Sequence, residues 1–159
     1  MPISTLLREA EELQPDVVRL RRAIHRHPEL GLQLPRTQAA VLEALDGLGL
    51  RVRKGERLTS VVATLEGALP GPSILLRADM DALPIQEETG LDFSSKIEGV
   101  MHACGHDAHV AMLVGAARLL ARRRDQLAGS VVFMFQPGEE GYHGARFMLE
   151  EGLHDGGTA

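Results

Sequence analysis

A chain of 159 residues fits one domain of ordinary size. With 44% hydrophobic and 25% charged residues it can build a core, and its composition is neither disordered nor membrane-like. A formal net charge of −5 and 3% aromatic residues exclude general nucleic-acid binding, which needs a basic surface or rings on which bases stack.

The first predicted element is a long helix. Leu6, Leu7, Ala10 and Leu13 recur at helical spacing, as do Leu20, Ala23 and Ile24. Pro15 is expected to break or kink it, and His27-Pro28 to end it. A second helix spans about Arg36 to Leu48, with Ala40, Val41, Ala44 and Leu45 on its apolar face and Gly49 as its stop. Ser60–Leu65 reads as a strand, Gly67–Pro72 as turn chemistry, and Ser73–Ala78 as a buried strand running into Asp79-Met80-Asp81. Residues 85–101 read as irregular. A third helix opens with Asp107 as N-cap and carries the stripe Val110, Leu113, Val114, Ala117 and Leu120. Val131–Phe135 is an apolar strand, followed by Gln136-Pro137-Gly138-Glu139-Glu140-Gly141 and a last helix from Gly144 to Glu151. Met101, Met112 and Met148 read as core filler. Strands alternating with helices predict an α/β sheet with helices packed on it.

No apolar run follows a basic start, so no secretory leader is expected. No stretch approaches the ~20 apolar residues of a membrane span. The single cysteine, Cys104, allows no internal disulfide, which points to the cytoplasm.

Chemistry gathers in three motifs at strand ends or helix starts, where ligands bind open α/β sheets. In His102-Ala103-Cys104-Gly105-His106-Asp107-Ala108-His109, Cys104 and His106 stand two apart, so in extended backbone their side chains share a side. A helix N-terminus beside them would stabilise a thiolate, and thiolate with imidazole suits several divalent metals. The competing reading is a buried structural cysteine among surface histidines. His102 and His109 are weaker candidates, read as structural or as supports for the ligands. Glu139-Glu140 follows a buried strand. There one carboxylate can bind metal while its neighbour takes a proton from water, or both are solvated turn residues. Asp79-Met80-Asp81 either orients a ligating imidazole or is a strand-end turn. His25-Arg26-His27-Pro28-Glu29 reads as structural or capping, and His143 and His154 as surface residues.

Together, Arg77-Ala78-Asp79-Met80-Asp81-Ala82-Leu83-Pro84, Met101-His102-Ala103-Cys104-Gly105-His106-Asp107 and Gln136-Pro137-Gly138-Glu139-Glu140-Gly141 resemble the M20 metallopeptidase/amidohydrolase family. The likeness is to its hippurate hydrolase, N-acyl-amino-acid amidohydrolase and auxin-conjugate hydrolase branch, whose opening His25–Gly31 also matches. The resemblance implies a zinc-exopeptidase-like α/β catalytic domain: a mixed, mostly parallel sheet with helices on both faces. It implies two divalent metal ions (Zn, Mn, Ni or Co), with Cys104, His106 and Glu140 as ligands and Glu139 as general base. Asp81, Asp107 and His102 would support the ligands. The substrate would be an N-acyl amino acid, whose amide is attacked by activated water. Family members are more than twice as long and carry further histidine ligands and a lid used for dimerisation. Residues 1–159 are therefore expected to be the N-terminal portion of such a domain without its lid, holding fewer metals, and to self-associate or pair with a complementary segment. A non-catalytic metal-binding or interaction piece is the alternative. A cysteine hydrolase is disfavoured, because a nucleophile and base two residues apart rarely align.

Overall fold

The computed structural model describes residues 3–153; His154 lies outside them. The described residues form four helices, α1 (Ile3–His25), α2 (Pro35–Leu45), α3 (His106–Ala121) and α4 (Gly144–Glu150). They form four strands, β1 (Arg51–Lys54), β2 (Val61–Glu66), β3 (Leu69–Asp79) and β4 (Ala128–Gln136), and a 3-10 turn at Arg124–Gln126. None of these helices is long and apolar enough to cross a membrane.

The strands lie in the order β1-β2-β4-β3. The class is mixed α/β as expected, but the parallel majority is absent among the described strands. β1 with β2 and β2 with β4 are antiparallel, and only β3 with β4 is parallel. The connections give the reason. Parallel neighbours need a long crossover; α3 supplies one between β3 and β4, whereas a short loop joins β1 to β2.

Helices do cover both faces. β4 sits centrally, and its side chains alternate. Val131, Phe133 and Phe135 face α1, α2 and α3 together with Val61, Ala63 and Leu65 of β2. Val132 and Met134 face Met148 of α4 on the other side. A strand buried on both faces has no polar side, which is why it reads as a continuous apolar run.

Four expectations are corrected here. α1 is not broken at Pro15; proline costs one backbone bond there, and packing of the helix on α3 outweighs it. β3 begins at Leu69, inside the expected turn. It is an edge strand, where Pro70 and Pro72 leave no ladder bond unmade on the free side. For the same reason most of β3 is exposed, Ile74 at 59% and Leu75 at 43%, and only its end, Ala78 and Asp79, is buried. Of the three methionines read as filler, Met148 is buried but Met112 is 58% exposed.

Glu29 explains how α2 starts. The helix has no side-chain cap of its own at Leu34. Instead the Glu29 carboxylate accepts from Arg36 N (3.1 Å), Thr37 N (2.9 Å) and the Thr37 hydroxyl (2.9 Å). These are orphan donors of a first turn, where negative charge is also favoured. Glu29→Ala should cost about 1 kcal/mol, as loss of a capping group does. An unchanged urea midpoint would contradict it.

Candidate metal centre

β3 and β4 run parallel and end together, with Asp79 opposite Gln136. The next residues of each strand therefore meet. Met80 N donates to Gln136 O (2.8 Å), and the Asp81 carboxylate accepts from the backbone N–H of Glu139 and of Glu140, each at 3.0 Å. Asp81 thus fixes the loop that carries both glutamates. Gly138 makes the turn into that loop: its φ is +68°, and a Cβ there would come within 2.5 Å of Leu32.

The third strand-end motif arrives from α3. Its cap is Gly105, with φ 81° and ψ 19°, rather than the expected Asp107. Asp107 instead points inward, fully buried. Its Oδ2 accepts from Arg21 Nε (2.6 Å) and faces His25 Nδ1 at 2.7 Å. The other nitrogen of His25 lies 3.2 Å from Glu87 Oε1. His25, read as structural or capping, is buried between these two carboxylates, and its partners were not foreseeable from the sequence.

His106 Nδ1 lies 2.8 Å from the Asp81 carbonyl. A carbonyl only accepts, so this bond puts the proton on Nδ1 and leaves the lone pair on Nε2. Nε2 in turn faces Glu139 (3.8 Å) and Glu140 (3.9 Å). Burial disfavours the imidazolium, but the Asp81 carboxylate and carbonyl and the Asp79 charge outweigh it, and the pKa of His106 is raised. Asp81 shows the converse. Burial works against its charge, while the neighbouring His106 imidazole and hydrogen bonds from the backbone N–H of Glu140 and Glu139 hold its carboxyl below the usual range.

Ligand-type atoms of Cys104, His106 and Glu140 lie within 4.8 Å of one another. Cys104 is exposed, which removes the buried structural reading. The surroundings of Cys104 do not favour the expected thiolate. Desolvation, then the Glu140 and Glu139 carboxylates, push the thiol's pKa up. A cluster of one soft and two harder donors around an excess of negative charge suits a divalent transition ion. Glu139 stands beside this trio and is 40% exposed.

His102 is buried, and neither ring nitrogen has a hydrogen-bond partner among the described residues. Burial pushes its pKa down to about 4, against an upward pull from Asp107. An unfolded histidine titrates near 6.5, so the unfolded chain takes up this proton first. The stability is complete above that pH and is lost as pH falls toward 4. Between pH 7 and 5 the loss should be about 2 kcal/mol. Urea midpoints at the two pH values, compared with His102→Asn, measure it; an equal pH dependence in both proteins would refute the assignment.

Residues 75–158 match the family described as peptidase family M20/M25/M40. The chain is 45% identical over 157 residues to thermostable carboxypeptidase 1 of Saccharolobus solfataricus, covering 97% of this chain and 40% of that protein. It is 46% identical over 150 residues to the N-acyl-L-amino acid amidohydrolase of Geobacillus stearothermophilus, covering 94% of this chain and 40% of that protein. Among solved structures, a Bacillus subtilis dinuclear metal binding peptidase from the M20 family superposes with a TM-score of 0.85 at 44% identity, over 90% of this chain and 40% of that one. The chain thus spans about 40% of the length of these relatives.

Proposed function

The chain belongs to peptidase family M20/M25/M40, and from that premise we propose that it is the N-terminal portion of a metal-dependent hydrolase that cleaves the amide bond of N-acyl amino acids. The observation that carries this reading is the convergence of Cys104, His106 and Glu140 beside Glu139. The relatives named for carboxypeptidase and N-acyl amino acid amidohydrolase activity support the substrate class.

In this reading Cys104, His106 and Glu140 hold a divalent ion such as Zn²⁺, Mn²⁺, Ni²⁺ or Co²⁺. When bound, such an ion polarises a carbonyl and makes water acidic enough to attack near neutral pH. His106 presents Nε2 because Asp81 holds Nδ1. Asp81 also sets Glu139 and Glu140 through their backbone N–H groups. Asp107 and His102 lie behind the ligand loop, Asp107 anchored by His25 and Arg21. Glu139 is the general base: its carboxylate has solvent access and, among the described residues, no hydrogen bond to compete for it. It takes the proton of the attacking water and passes it to the departing amine, so that amide and water become carboxylate and amine. A further stretch of polypeptide, or a second copy, is expected to complete the site and grip the substrate. Such a protein would act in the cytoplasm.

Native mass spectrometry with Zn²⁺ or Mn²⁺ tests the reading. Wild type should retain metal, and Cys104→Ala should lose it. Retention unchanged by that substitution would overturn the ligand assignment. The shortness relative to relatives favours a second reading, metal binding without turnover; chelator-sensitive hydrolysis by the isolated chain would eliminate it.

A further inference from the structure

The geometry points to a second metal position, built by Asp79, His106 and His109, that competes with the Cys104–His106–Glu140 position for a single imidazole lone pair. Asp79 ends β3, and His109 lies one helical turn after His106 on α3, so the two histidines share a face. Their rings are 5.4 Å apart between centroids. Ligand-type atoms of all three residues lie within 4.8 Å of one another.

The spacing of His109 and Asp79 is that of coordination rather than hydrogen bonding. His109 Nδ1 and Asp79 Oδ2 are 3.6 Å apart, too far for a hydrogen bond. Two donors each ~2.1 Å from one tetrahedral ion stand ~3.4 Å apart. Asp79 is also oriented for the task. Arg77 Nη2 pairs with its Oδ1 at 2.8 Å, which leaves Oδ2 toward His109. Arg77 is held in turn by Gln136 Oε1 at 3.0 Å.

Access is separate from the first position. Asp79 and His109 line a surface groove with Arg77, Met112 and Leu113; Cys104, Glu139 and Glu140 do not contribute to it, and the buried His106 is not among its lining residues. His109 is 44% exposed, so an ion reaches it without opening the core.

His106 couples the two positions. Its Nδ1 is committed to the Asp81 carbonyl, so Nε2 carries its one available lone pair. An ion at either position reduces the other to two ligands, and the positions exclude each other. The Arg77 charge and the lack of a thiolate make the new position the weaker one for zinc and cobalt. The inference shares His106 with the proposed hydrolase site but does not depend on amide hydrolysis.

The test uses metal alone. Cys104→Ser/Glu140→Gln removes two of the three ligands of the first position. This variant should still bind one Zn²⁺ or Co²⁺ per chain by native mass spectrometry, with no thiolate-to-cobalt absorption. Adding His109→Ala, a change on the half-exposed helix surface, should weaken that binding at least tenfold; a circular dichroism melt verifies the fold. Asp79→Asn should weaken it in the same direction. The proposal is overturned if the double variant binds no ion, or if its affinity is the same with and without His109. Either result leaves metal retention by the wild-type trio as a separate question.

Discussion

Glu139→Gln should lower kcat/KM for an N-acyl amino acid by about 10²–10⁴-fold, the range for loss of a general acid–base group. Measured in a polypeptide extended to the length of its relatives, the loss should fall on kcat rather than KM, because the proton moves only as the amide is attacked. Metal content should stay constant, since Glu139 is not one of the Cys104–His106–Glu140 trio. The substitution is close to isosteric, and the backbone N–H that anchors residue 139 on Asp81 is untouched. Glu140→Gln should behave differently and lose metal first. Turnover near wild type in Glu139→Gln would remove it as the base, and equal metal loss in both variants would merge their roles.

The site was legible in the sequence to the extent that it is local. Cys104 and His106, and Glu139 and Glu140, each lie in one short loop after a strand or before a helix, so pattern alone places them. Their convergence depends on β3 and β4 being parallel neighbours, and the α3 crossover between them made that pairing readable too. What escaped was long-range. His25 and Asp107 are 82 positions apart and meet only because α1 packs against α3. Asp107 looked like a cap because aspartate at a helix start usually is one, and here burial against Arg21 and His25 won. β1 was missed because Arg51-Val52-Arg53-Lys54 is a charged edge strand with no buried alternation. The antiparallel pairings escaped for a related reason: β4, late in sequence, inserts between β2 and β3.

The pairing of Asp107 also gives the largest expected stability effect. Its carboxylate is fully buried and holds two donors, His25 (side chain 3% exposed) and Arg21 (33% exposed). Through His25 it connects to Glu87, which accepts from Ser95 N at 2.6 Å and orders the irregular segment before α3. Asp107→Ala therefore strands a buried imidazole between an empty space and a carboxylate. Breaking a buried pair from one side costs about 3–5 kcal/mol, and the partial exposure of Arg21 argues for the lower end. At this chain length that is a fall in Tm of roughly 6–12 °C. Asp107→Asn keeps an acceptor and the shape, and should recover part of the loss. His25→Ala combined with Asp107→Ala should cost less than the sum of the two, because the residues share one interaction. The same lesion loosens the turn that carries His106, so metal affinity should drop about 10–100-fold, as when a ligand's supporting partner is removed. Additive single and double variants, or a Tm of Asp107→Ala close to wild type, would show that this chain of contacts does not hold the ligand loop in place.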